Sequence, residues 1–114
     1  MNSINPNRIT WKRWGFEYIV EDNDAYQVKF LQMNMGQQCS MHFHNQKRET
    51  ITVLSGAIVI AFEHHSNVTL TVHESLTIPY GEQYAHRMIA SHGNCQYLES
   101  AISGCNNDNT RIKE

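Results

Sequence analysis

Residues 36–56 read GQQCSMHFHNQKRETITVLSG, bounded by Gly36 and Gly56. In an extended strand successive side chains alternate between faces. His42 and His44 therefore share one face, and Phe43 takes the other. Glu49 follows across a polar loop, Asn45 to Arg48. From Glu49 to Leu54 the chain is rich in β-branched residues, which favour a strand. Two imidazoles on one face with a carboxylate close behind make half of a metal site. That mixture of nitrogen and oxygen donors suits a divalent transition metal.

The same alternation extends outward from this stretch. Upstream, Phe16, Tyr18 and Val20 alternate with Glu17, Ile19 and Glu21, and Tyr26, Val28 and Phe30 alternate with Gln27 and Lys29. Both read as half-buried strands, separated by the turn Glu21 to Asp24. Downstream, Ala57 to Glu63, Val68 to Val72, Ser75 to Ile78, His86 to Ala90 and Cys95 to Ile102 are short strand-like runs. Gly, Pro, Asn and Ser punctuate them. Roughly eight to ten short strands with regular turns, and no convincing helix, indicate an all-β sandwich or barrel. No repeat or boundary divides the chain, so residues 1–114 read as one domain. Residues 1–14 are expected to be an extension whose Trp11 and Trp14 cover one opening of the core. Residues 105–114 are expected to be a polar tail, frayed or only loosely packed.

The composition narrows the function. The chain has 114 residues, 40% hydrophobic and 18% charged, with net charge −2. It is globular in character, not disordered. No basic run exceeds Lys47-Arg48, so no nucleic-acid or membrane-surface partner is expected. No apolar run is long enough to span a membrane, and the N-terminal residues are too polar for a signal peptide, which makes a cytoplasmic location the expectation. Cys39, Cys95 and Cys105 lack the number and spacing of a disulfide framework or a structural zinc site. His64, His65 and His73 read as turn residues, Cys39 as a small buried hydrophobe, and Met33, Met35, Met41 and Met88 as fillers of core gaps.

The spacing Gly36, His42, His44, Glu49, Gly56 resembles the first motif of the cupins, G(X)5HXH(X)3,4E(X)6G. The second motif, G(X)5PXG(X)2H(X)3N, is matched in part. His73 stands at its first glycine, and Pro79-Tyr80-Gly81 supplies PXG. Its histidine arrives two residues late, at His86, with Tyr84 at the usual place and no closing Asn. The flanks are similar to the cupin domain of type II mannose-6-phosphate isomerases: Lys12-Arg13-Trp14-Gly15-Phe16, Tyr26-Gln27-Val28-Lys29, Leu54-Ser55-Gly56, Ile78-Pro79-Tyr80-Gly81 and His86-Arg87.

The resemblance implies a single-domain cupin, a small antiparallel β-barrel of jelly-roll type. It implies His42, His44, Glu49 and His86 as ligands of a divalent transition metal (zinc, manganese, iron or nickel). It also implies a small-molecule substrate, a sugar or sugar phosphate, and an aldose–ketose isomerisation. Tyr84, Arg87 and Glu99 are the candidate catalytic residues. Lys47, Arg48 and Tyr80 are the candidate substrate contacts, with Arg87 as another phosphate contact and Lys29 and Tyr97 as further lining. A homodimer is expected, with the N-terminal segment adding a strand to the partner. The loops at 45–48 and 82–85 are longer than in that family. Two other functions fit a cupin of this size: an Fe(II)-dependent dioxygenase and a non-catalytic sugar- or effector-binding module.

Overall fold

The computed structural model describes residues 6–102 and 108–113. Its strands are β1 (Ile9–Lys12), β2 (Gly15–Asp22), β3 (Tyr26–Met33), β4 (Met41–Phe43), β5 (Glu49–Ser55), β6 (Ile58–Phe62), β7 (Val68–Leu70), β8 (Ser75–Ile78), β9 (His86–Ile89), β10 (Cys95–Ile102) and β11 (Thr110–Lys113). Among the described residues there is no α-helix, only single 3₁₀ turns at Pro6–Arg8 and Glu82–Tyr84. None is long and apolar enough to cross a membrane.

The strands form two antiparallel sheets, in the orders β1-β2-β3-β10-β5-β8 and β11-β4-β9-β6-β7. The two do not close into one hydrogen-bonded barrel, and what joins them is side-chain packing. Met33, Ile51, Val53, Cys95 and Tyr97 from the first sheet meet Ile58, Ile60, Leu70 and Met88 from the second. Each is buried, and burial of a side chain this size contributes about 1.5–3 kcal/mol. The apolar layers occupy one end of the sandwich. Towards the other end the inward positions turn polar: Leu31 gives way to Lys29, Tyr97 to Glu99, and Ile51 to Glu49. Lys29 and Glu99 are directly opposite in the β3–β10 ladder.

β1 pairs with β2 of its own chain, Ile9 opposite Tyr18 and Lys12 opposite Gly15, and among the described residues its other edge is open. Three expectations are corrected. Met35 fills no core gap, because it is 68% exposed. Trp14 packs against the core, but Trp11 is 75% exposed and covers nothing inside. Its ring instead meets Phe16 on the outer face of the sheet. The tail does not fray throughout, because β11 pairs with β4. Cys105 lies outside the described residues.

The motif positions have backbone causes. Gly36 and Gly56 both have positive φ, +83° and +77°, which only glycine adopts without strain. A Cβ on Gly36 would meet nothing within 4 Å, whereas one on Gly56 would lie 2.3 Å from the Asn94 carbonyl oxygen. Gly36→Ala should cost about 1–2 kcal/mol of stability. Gly56→Ala should cost about 3 kcal/mol or more, because the Asn94 backbone must also move. Urea unfolding of the two variants checks the order. His73 stands at the motif's other glycine and keeps a left-handed backbone, φ 71°. The late arrival of His86 is accommodated by the 3₁₀ turn at Glu82–Tyr84.

Candidate metal centre

The polar end of the sandwich gathers candidate ligands from both sheets. On β4, His42 points inward, and His44 follows one residue past the strand's end. In the β4–β9 ladder His42 is paired directly with His86, and their ring centroids are 4.6 Å apart. His44 lies 5.1 Å from His42 and 5.9 Å from His86 by the same measure. Across the sandwich, β5 begins with Glu49, turned inward like Ile51 and Val53. Glu49 Oε1 is 3.2 Å from His86 Nε2 and 3.4 Å from His44 Nε2. One donor atom from each of His42, His44, Glu49 and His86 lies within 4.8 Å of the others.

The hydrogen bonds behind the rings decide which nitrogens face the centre. His42 Nδ1 is 2.8 Å from the Ser40 carbonyl, and His86 Nδ1 is 2.9 Å from the Tyr84 carbonyl. His44 Nδ1 meets the carbonyl of Asp108. A carbonyl only accepts, so each Nδ1 carries the proton and donates it. Each Nε2 lone pair is then left for the centre, the arrangement metal-binding histidines use. His44 Nε2 is buried without a hydrogen-bond partner. Burial, and then neighbouring His86, pushes His42 down to about 4, so it is neutral at neutral pH. Burial also pulls on His44, but the Glu49 carboxylate and the Asp108 carbonyl outweigh it and raise its pKa. Burial would raise Glu49, yet His44, His86 and Lys47 hold it well below the usual carboxylate range. Three imidazole donors and one carboxylate, all preset around one point, fit a divalent cation. The cation would compete with protons for these donors.

His42, His44 and Glu49 form the floor of a cavity of about 370 Å³, while His86 is fully buried and outside its lining. Of the candidate residues, Lys47 and Glu99 line it, as do Lys29 and Tyr97. Lys47 Nζ is 3.4 Å from Glu49 Oε2, and Lys29 Nζ is 3.5 Å from Glu17 Oε1. Burial, reinforced by the charge of Glu49, pushes Glu99 up to about 8. The cavity lining does not include Tyr84, Arg87, Arg48 or Tyr80. Tyr84 stacks on His65, at 5.3 Å and 12°. Arg87 falls between the buried His86 and Met88 on alternating β9, so its side chain leaves by the other face. Arg48 and Tyr80 border a separate groove beside Tyr26 and Ile102.

Several lining residues were not anticipated: Lys12, Arg13, Glu17, Ser40, Asp108 and Arg111. Arg13 was visible as part of the Lys12-to-Phe16 flank, but nothing in the sequence turned it towards the site. Asp108 stood in a stretch read as a frayed tail.

A family model described as mannose-6-phosphate isomerase C-terminal matches residues 2–97. No curated protein matches the chain. Among solved structures, the capsular polysaccharide assembling protein CapF from Staphylococcus aureus superposes with a TM-score of 0.77 at 20% identity over 93% of this chain. The chain spans only 34% of CapF. The polyketide cyclase RemF from Streptomyces resistomycificus superposes at 0.79 with 14% identity, over 100% of this chain and 87% of RemF. A cupin-superfamily sugar phosphate isomerase from Silicibacter pomeroyi superposes at 0.72 with 12% identity, over 90% of this chain and 76% of that one. At these identities the likeness is one of fold.

Proposed function

The chain belongs to the mannose-6-phosphate isomerase C-terminal family of cupin domains, and from this we propose that it is a metal-dependent enzyme that isomerises a small sugar phosphate. The observation that carries the reading is the set of three histidines. Each has its Nδ1 tied to a backbone carbonyl and offers a nitrogen to one cluster with Glu49, beside a polar cavity that His42, His44 and Glu49 line. Zinc, manganese, iron and nickel all accept this donor set. A divalent ion held there supplies a Lewis acid for a sugar carbonyl oxygen.

The chain's own residues supply the rest. Glu99 lines the same cavity with a pKa of about 8, so it can take a proton from one sugar carbon and return it to the next near neutral pH. Lys47, beside Glu49, is placed to steady a substrate hydroxyl or the charge that develops on oxygen. Lys12, Arg13 and Arg111 line the wall and offer a phosphate cationic partners, the guanidinium groups bidentately. They take the role the sequence had suggested for Arg48 and Arg87. A homodimer would use the open edge of β1, where Trp11 is exposed.

The test is conversion of mannose 6-phosphate to fructose 6-phosphate by protein loaded with zinc or manganese, followed by a coupled assay beside His44→Ala. Conversion by the parent, lost in His44→Ala, is expected. Oxygen uptake with Fe(II), or no conversion of any sugar phosphate, would overturn the reading.

A further inference from the structure

We propose that Asp108 is the positioning residue of the metal centre, which makes the C-terminal strand a working part of the site. This rests on the metal-centre reading above. β4 is only three residues long, yet it carries His42 and leads into His44. On one side it meets β9 through a single ladder pair, His42 with His86. On the other side β11 pairs with it, Thr110 opposite Phe43 and Arg111 opposite His42. Asp108, just ahead of β11, makes two kinds of contact at once.

Its carboxylate accepts three consecutive backbone N–H groups of the loop between the ligands: Asn45 at 2.7 Å, Gln46 at 2.6 Å and Lys47 at 2.8 Å. Hydrogen bonds to an ionised acceptor are the strong ones. Three successive N–H groups turned towards one anion fix the loop's backbone. The loop in turn sets where Glu49 begins and where Lys47 reaches. Meanwhile the carbonyl of Asp108 receives Nδ1–H of His44 and so sets that ring's tautomer and orientation. One residue therefore holds a ligand ring and the loop that separates it from the next ligand. A cap that only tidied the loop would need the carboxylate alone.

Outer partners of this kind contribute about 10- to 100-fold in metal affinity. Asp108→Ala removes the loop anchor and frees the carbonyl to move. Asp108→Asn keeps the shape, but offers one acceptor oxygen and turns an NH2 group towards N–H donors. The experiment measures Zn2+ affinity of the full chain by competition with a chromophoric chelator, with the absorption spectrum of the Co2+ form as a second readout. Metal-free stability is followed by circular dichroism in urea. Both variants should fold, bind Zn2+ about 10- to 100-fold more weakly and shift the Co2+ bands, whereas Lys113→Ala on the same strand should match the parent. Parent affinity and an unshifted Co2+ spectrum in both variants would overturn the proposal. So would variants whose metal-free form has lost its fold, because Asp108 would then serve the scaffold alone. A parent chain that takes up no divalent ion would overturn the metal-centre reading and this proposal together.

Discussion

Glu49→Gln should bind Zn2+ or Mn2+ more than about 100-fold more weakly than the parent, a larger loss than any outer partner gives. It should also destabilise the metal-free protein most between about pH 4.5 and 6.5. The window follows from the two shifts. Glu49 is held well below its ordinary 4.5, so its contribution is present above 4.5 and is lost as pH falls through its folded value. His44 is raised above 6.5, so its contribution is full below 6.5 and is lost as pH rises through its folded value. Only between the two ordinary values are both contributions complete. Removing one partner of a buried pair costs about 3–5 kcal/mol, and that is the loss expected near pH 5.5. Urea unfolding in chelator at pH 5.5 and pH 8.5 tests this; an equal loss at both would refute the coupling.

Glu99→Gln should separate stability from turnover. A carboxyl held at about 8 in the folded chain, against 4.5 when unfolded, keeps its proton longer in the native state. The native state therefore loses stability as pH rises from 4.5 to 8. Gln carries no such penalty, so the metal-free variant should be about 2–4 kcal/mol more stable than the parent at pH 8.5 and no different at pH 4. Turnover should fall about 10²- to 10⁴-fold, the usual contribution of a positioned proton carrier. In the parent it should rise with pH through about 8, and the variant should lack that limb. A variant less stable than the parent at pH 8.5 would contradict the burial of that charge.

The β-sandwich and the first three members of the His/Glu cluster were legible in the sequence because both depend on local spacing. Period-two alternation reports a strand wherever one face is buried, and HxH and Glu49 lie within eight consecutive residues, although β4 and β5 belong to opposite sheets. The limits are equally physical. Tyr26, Val28 and Phe30 form the apolar side of β3, yet it is Gln27, Lys29, Leu31 and Met33 that face inward. Phe30 instead meets Phe16 on the outside. Alternation separates two faces, but it cannot say which one lines an interior that is itself polar. Tyr84 held the motif's position by count, but the 3₁₀ turn intervenes and it is His86 that joins the cluster of His42, His44 and Glu49. Arg87 was chosen for its chemistry, and strand parity sends it away from the cavity. Asp108 was hidden because its partners lie more than sixty positions earlier. Composition alone described its surroundings as a tail.

The donors come from opposite walls: three imidazoles from one sheet and a carboxylate from the other. Elsewhere among the described residues those sheets meet through a packed core of mainly apolar side chains, whose contacts are not directional. An ion at the polar end would act as a clasp, joining the walls with directional bonds where the apolar layers have run out. Without it the walls are still joined there by Glu49 against His44 and His86, so an ion would tighten a seam the chain already closes.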